Sequence, residues 1–181
     1  HQLMDDVVQL IAFVFEGRLP RQTKITYKEA FLQADLPDPF DASTDQLRQV
    51  TAKKLNASCT NWARDECLDA LMSMVVEPSL PKDCLCFVHQ YPESQAALAK
   101  TIEVEGVVVA KRFELYWQGM ELANGYHELT DAAEQARRFE LANQERVAAG
   151  LEAIRLVEEG ADLRQQLFEN TRFWRAGLEE L

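Results

Sequence analysis

The chain has 181 residues, 47% of them hydrophobic, which is enough for one sizeable core and usual for a single domain. Its 19 Lys and Arg against 30 Asp and Glu leave a net charge of −11, the wrong sign for holding nucleic acid by phosphate neutralisation, so nucleic acid is not an expected partner. No apolar run approaches the roughly 20 residues a bilayer span needs, and the opening "HQLMDDVVQLIAFVFEG" is acidic and amphipathic; a cytosolic protein with no membrane partner is expected.

Within that opening, Leu3, Val7, Leu10, Ile11 and Val14 recur at helical spacing and Gly17 is placed to stop the helix. "TKITY" predicts a short strand, and a connector with Pro37 and Pro39 leads to "ASTDQLRQVTAKKL". There a Ser/Thr/Asp cluster suited to capping precedes Leu47, Val50 and Leu55, which predicts a second helix. "NWARDECLDALMSMVVEPSLP" predicts a third, closed by Pro78 and Pro81, and "CLCFVHQYP" alternates and concentrates strand formers. The spacings of Cys59, Cys67, Cys84 and Cys86 match neither zinc knuckles nor a disulfide framework, so four reduced, mostly buried thiols are expected.

From Thr101, "TIEVEGVVVAKRFELYWQGMELANGYHEL" predicts three strands, with breaks near Gly106 and at Gln118-Gly119. "DAAEQARRFELANQERVAAG" returns to helix, capped by Thr130 or Asp131 with acids in its first turn. Arg137-Arg138 reads as part of its solvated face. The tail, "LEAIRLVEEGADLRQQLFENTRFWRAGLEEL", is again helical, broken near Gly160, with Leu163, Leu167, Thr171 and Trp174 as an apolar edge. Helices, then a mostly antiparallel sheet, then helices imply an α+β fold.

The stretch "ELANGYHELTD" carries Glu121 and Glu128 on either side of Asn124-Gly125. Asn-Gly tolerates positive φ and marks a hairpin turn or a bulge. Gln118-Gly119 already turns the chain, so a bulge at Asn124-Gly125 is expected. One extra residue restores the parity that a seven-residue spacing breaks, and would bring Glu121 and Glu128 to one face together with Tyr126. In the preceding strand, Glu114 and Tyr116 alternate with Phe113, Leu115 and Trp117. Two carboxylates on one sheet face can hold a magnesium ion and a ligand ammonium together, as binding of ATP beside an amine-bearing substrate requires; the same pattern also reads as a solvated face paired with Lys or Arg. His89 and His127 read as structural or pocket-edge residues, and Trp62, Trp117 and Trp174 as core or partner-facing.

The words "KRFELYWQGMELANGYHELTDAAEQARRFELANQERVAAG", "YPESQAALAK" (residues 91–100), "VEPSL" (76–80) and "HQLMDDV" closely resemble, in order, the elongation factor P β-lysine ligases, class II lysyl-tRNA synthetase paralogues. The resemblance covers about residues 1–149 and implies a partial class II synthetase-like antiparallel sheet flanked by helices; residues 150–181 are expected to form a separate helical tail of another origin than this resemblance gives. It further implies ATP contacts at Glu121 and Leu122, magnesium at Glu121 and Glu128, and an amino-acid pocket of Asn124, Tyr126 and Glu128. "PESQAAL" resembles the loop over that pocket, where Ser94 and Gln95 would donate hydrogen bonds or simply cap a helix. ATP and Mg2+ are the implied cofactors, and no covalent catalytic residue is implied. Lysine or β-lysine is the implied substrate and elongation factor P, in place of tRNA, the implied acceptor; the class II motif 1 strand would make the protein a homodimer.

The family's motifs 1, 2 and 3, with their phosphate-holding arginines, are not visible. The 181 residues alone are therefore expected to keep part of the pocket and little or no ligase activity. The alternative is a non-catalytic fragment or interaction module. "AAGLEAIRLVEEGADLRQQLFENTRFWRAGLEEL" is similar to a helical segment of the pyridoxal-phosphate α-oxoamine synthases, such as glycine C-acetyltransferase, and carries none of their catalytic motifs.

Overall fold

A computed structural model describes residues 2–159 and Gln165. The chain divides into two compact units, 1–130 and 131–181.

The first unit is built on a five-stranded sheet. Strands β1 (Arg21–Thr26), β2 (Cys84–Pro92) and β4 (Val107–Trp117) lie side by side, and the far edge of β4 is shared by β3 (Thr101–Val104) at its start and β5 (Met120–Tyr126) at its end. Only the β1–β2 pair is parallel among the described strands. Both turns out of β3 and β4 place two residues at positive φ, Glu105-Gly106 at 51° and 81° and Gln118-Gly119 at 53° and 79°. That is the conformation a tight two-residue hairpin demands, and it falls where the glycines predict it.

Helix α1 (Gln2–Val14) covers one face of the sheet, setting Met4 and Val8 against Leu85, Phe87, Phe113 and Leu115. It stops as expected: Gly17, at φ 80°, donates its N–H to the Ala12 carbonyl at 2.8 Å. On the opposite face α2 (Tyr27–Gln33), α3 (Thr44–Leu55) and α4 (Arg64–Leu71) build the larger core from Tyr27, Phe31, Leu47, Leu68, Leu71 and Val76 over Cys86 and Val88. Strand β2 thus feeds two cores, which is why Cys84 to Val88 are all buried. The four cysteines are free and buried.

Helix α2 is not predicted by the sequence pattern, in which "TKITY" leads directly to the proline connector. Its start is a capping box: Glu29 N–H donates to Thr26 Oγ1 at 3.1 Å, and Thr26 N–H donates back to Glu29 at 2.7 Å. A second box, Ser43 with Gln46, starts α3 where the capping cluster predicts it. The predicted third helix is α4 continued through one π-helical turn, Met72–Val76, into α5 (Glu77–Ser79).

In the second unit, α6 (Ala132–Glu159) is capped by Asp131, whose Oδ1 accepts from the N–H groups of Ala133 and Glu134 at 2.9 and 3.1 Å. The predicted break at Gly160 and the apolar edge from Leu163 to Trp174 lie outside the described residues. No helix among the described residues is long and apolar enough to cross a membrane.

Candidate functional site

Strand β5 does carry a bulge, but not at Asn124-Gly125. Leu115 pairs with Ala123 and Tyr116 with Glu121, so Leu122 is the extra residue. Asn124 and Gly125 sit in regular register opposite Glu114 and Phe113. The glycine serves close approach instead of a turn: a Cβ there would stand 2.6 Å from Phe113 Cζ and 3.3 Å from Leu3 Cδ2. The Phe113 ring lies over the bare backbone, a glycine role that a turn-oriented reading does not anticipate.

The Leu122 bulge puts Glu121, Asn124 and Tyr126 on the face that carries Tyr116, Glu114 and Arg112, their cross-strand partners. A second irregularity, at Gln90 with φ 60°, faces Lys111 and Arg112 and brings Tyr91 to that same face opposite Ala110. Two shifts in neighbouring ladders therefore converge on one polar row.

Glu114 is the hub of that row. Its Oε2 accepts from Tyr91 Oη at 2.5 Å and from Tyr116 Oη, and its Oε1 from Arg112 Nη2 at 2.5 Å and Asn124 Nδ2 at 3.1 Å. Arg112 also donates to Asn124 Oδ1 and to the Gln95 carbonyl, each at 3.2 Å, and its guanidinium lies 4.7 Å from the Tyr91 ring centre. The loop at Gln95 is held from below: Ser94 Oγ donates to Asp65 at 2.7 Å and Gln95 Nε2 to Asp69 at 2.8 Å. Ser94 and Gln95 thus bind the loop to α4 and do not cap a helix.

Negative charge accumulates here. Burial, then the Glu114 charge, pushes the carboxyls of Glu77 and Glu121 above their ordinary values. Asp69 is raised by burial and then by Asp65. For Glu121, Arg112 and a hydrogen bond with Asn124 act in the opposite direction. Burial and Glu114 also raise the phenols of Tyr91 and Tyr116.

The structure thus brings Glu121 and Asn124 to Glu114. Tyr126 and its cross-strand partner Arg112, with Glu128, His89, Lys111 and His127, line a cavity of about 680 Å³ to which residues of α1 also contribute. Glu128 is exposed and bridges backbone to backbone with Ala99; no described contact joins it to Glu121. Leu122 is the exposed bulge residue. Both histidines are lining residues of that cavity. Sequence reasoning saw Glu114 on the polar side of β4 and gave it no role; the signal was an acid flanked by Phe113 and Leu115 in an otherwise apolar run.

No three His, Cys, Asp or Glu side chains among the described residues could hold a metal ion together. Both oxygens of Glu114 are occupied by donors, and the guanidinium of Arg112 is committed to Glu114, Asn124 and Gln95. These residues do not by themselves fit a magnesium–nucleotide complex, whose phosphates need uncommitted cations. A face this acidic, with hydrogen-bonding amides beside it, suits an ammonium-bearing molecule.

A five-stranded mixed sheet with one polar patch, flanked by helices and followed by a C-terminal helix, is an α+β fold consistent with a partial class II synthetase-like domain. A family model for class II tRNA synthetases (D, K and N) matches residues 2–159, most of the chain, and the chain belongs to that family. Its domain is amino-acid-ligase-like, and the family generally uses ATP and Mg2+.

Proposed function

We propose that this chain carries the amino-acid side of an ATP-dependent ligase domain that activates lysine or β-lysine for transfer to elongation factor P, and that it has little or no ligase activity alone. The observation that carries this reading is the row of Glu114, Glu121 and Asn124 on one face of a class II synthetase-family sheet. Asn124, Tyr126 and Glu128 would receive the amino acid, an acidic pocket suiting its ammonium groups. In the complete reaction Glu121 and Leu122 would meet ATP, with the phosphate- and magnesium-holding groups supplied by residues beyond this polar row. The low activity agrees with the commitment of Arg112 to Glu114, Asn124 and the Gln95 carbonyl, which engages its guanidinium before any phosphate arrives. A protein acceptor in the cytoplasm agrees better than tRNA with a net charge of −11.

Thermal denaturation with lysine or β-lysine, alongside ATP–pyrophosphate exchange, tests this. Either amino acid should raise Tm while exchange stays near background. A Tm that neither amino acid moves would instead support a non-catalytic interaction module, the reading favoured by the full occupation of Glu114 by internal partners. The tail over 150–181 is given no chemistry in this reading.

A further inference from the structure

A different chemistry sits where β3, β4 and β5 meet. One step past the β4–β5 ladder, the His127 N–H donates to the Lys111 carbonyl, the Lys111 N–H to the Lys100 carbonyl and the Lys100 N–H to the His127 carbonyl, each at 2.8 Å. This closed ring of backbone bonds fixes Lys100, Lys111 and His127 side by side. Lys111 lies two residues before Phe113, so strand alternation turns it to the side on which Phe113 meets α1. His127 is its cross-strand neighbour, with side-chain roots about 5 Å apart. Both line the cavity of about 680 Å³, and Leu3, Met4, Ile102 and Phe113 give that cavity an apolar wall.

The chain carries 30 acids, yet among the described residues neither Lys100 nor Lys111 has an ion pair. Lys24, whose strand partner Phe87 also packs against α1, is by contrast held by Asp5 at 3.2 Å. Asp6 and Glu128 line the cavity too, and no ion pair joins either of them to Lys111 or His127. Adjacent cations without a counter-charge repel each other, and an anion entering beside them relieves that repulsion. An ammonium and an imidazole N–H side by side match the two oxygens of one carboxylate, and the apolar wall matches a hydrocarbon attached to it. We propose that Lys111 and His127 form, with the apolar wall of this cavity, a binding site for a small carboxylate carried on an apolar body. The site goes beyond the ligase reading, which puts an ammonium at Glu128 and no anion at Lys111.

The full chain is titrated with hexanoate, with hexanamide as the uncharged control, hexylamine as the opposite charge and inorganic phosphate as an anion without an apolar body. The imidazole resonances of His127 are followed by NMR. Hexanoate should give a saturable shift, hexanamide and hexylamine none, and phosphate should bind about tenfold more weakly or less. Lys111→Gln should weaken hexanoate about tenfold or more, the scale of one lost charge-assisted hydrogen bond. Lys111→Arg should keep the response, Ile102→Ser should weaken it several-fold, and Lys82→Gln should leave it unchanged. Absence of saturation, an equal response to hexanamide, or Lys111→Gln binding like the parent overturns the site, and phosphate binding as tightly as hexanoate overturns the carboxylate assignment. Lys111 is exposed, so its substitution is expected to leave the fold intact; should Lys111→Gln fail to fold by circular dichroism, Lys100→Gln is read in its place.

Discussion

Glu114 is almost wholly buried and takes a hydrogen bond from each of four side chains. Such a hub is costly to remove, because truncation strands its donors away from water. Glu114→Ala should destabilise the fold by about 3–5 kcal/mol, measured by urea denaturation, since it leaves the Arg112 charge and two phenols unpaired. Around the hub the raised carboxyls reverse the usual acid response. Asp69, Glu77 and Glu121 hold protons more tightly folded than unfolded, so the folded state binds more protons above their ordinary values of 3.8 and 4.5. Their contribution to stability therefore grows as pH falls from neutral toward that range. Below it, Glu29 and Asp38, whose folded values are lowered, make stability fall again. Burial of His89, which holds its imidazole below the ordinary 6.5, opposes this gain, so the test is a difference: the urea midpoint of the parent should gain on that of Glu121→Gln as pH falls from 7 toward 4.5, and a constant gap would contradict this balance.

At the scale of elements, the informative feature is how β5 changes face. One extra residue at Leu122 aligns Glu121 with Asn124 and Tyr126, while Gly125 lets the Phe113 ring lie across the strand. Gly125→Ala should cost about 1–3 kcal/mol through the forced shift of that ring. Adding Phe113→Leu should give a double variant that loses less than the two single losses combined, checked by a double-mutant cycle. Strict additivity would mean that the ring contact is not the constraint.

The same elements show what could be read in advance. The α1 stop, the α3 cap and both hairpin turns were legible because glycines and capping residues act locally. Helix α2 was readable too, from the Thr26–Glu29 spacing, but its apolar stripe spans only seven residues. A bulge was expected from the parity of two acids, yet its position was misassigned, because Leu122 carries no conformational signature and Gly125 answers to a ring twelve residues away. The roles of Glu114, Tyr91 and Asp69 depend on cross-strand and helix–loop contacts far apart in the chain, which no local pattern displays.

On the scale of the whole molecule, the chain is an acidic class II synthetase-family domain in which a sheet separates two hydrophobic layers and keeps one patch polar. That patch gathers carboxylates around one committed arginine, an electrostatic environment that recruits cations and repels phosphates. Isothermal titration of lysine and β-lysine into the chain, repeated with Asn124→Ala, tests this most directly. Saturable binding of at least one amino acid, weakened about tenfold or more by the substitution, is the predicted result. No heat of binding from either ligand, or binding that Asn124→Ala leaves unchanged, would show that the polar row is internal scaffolding and not an amino-acid site.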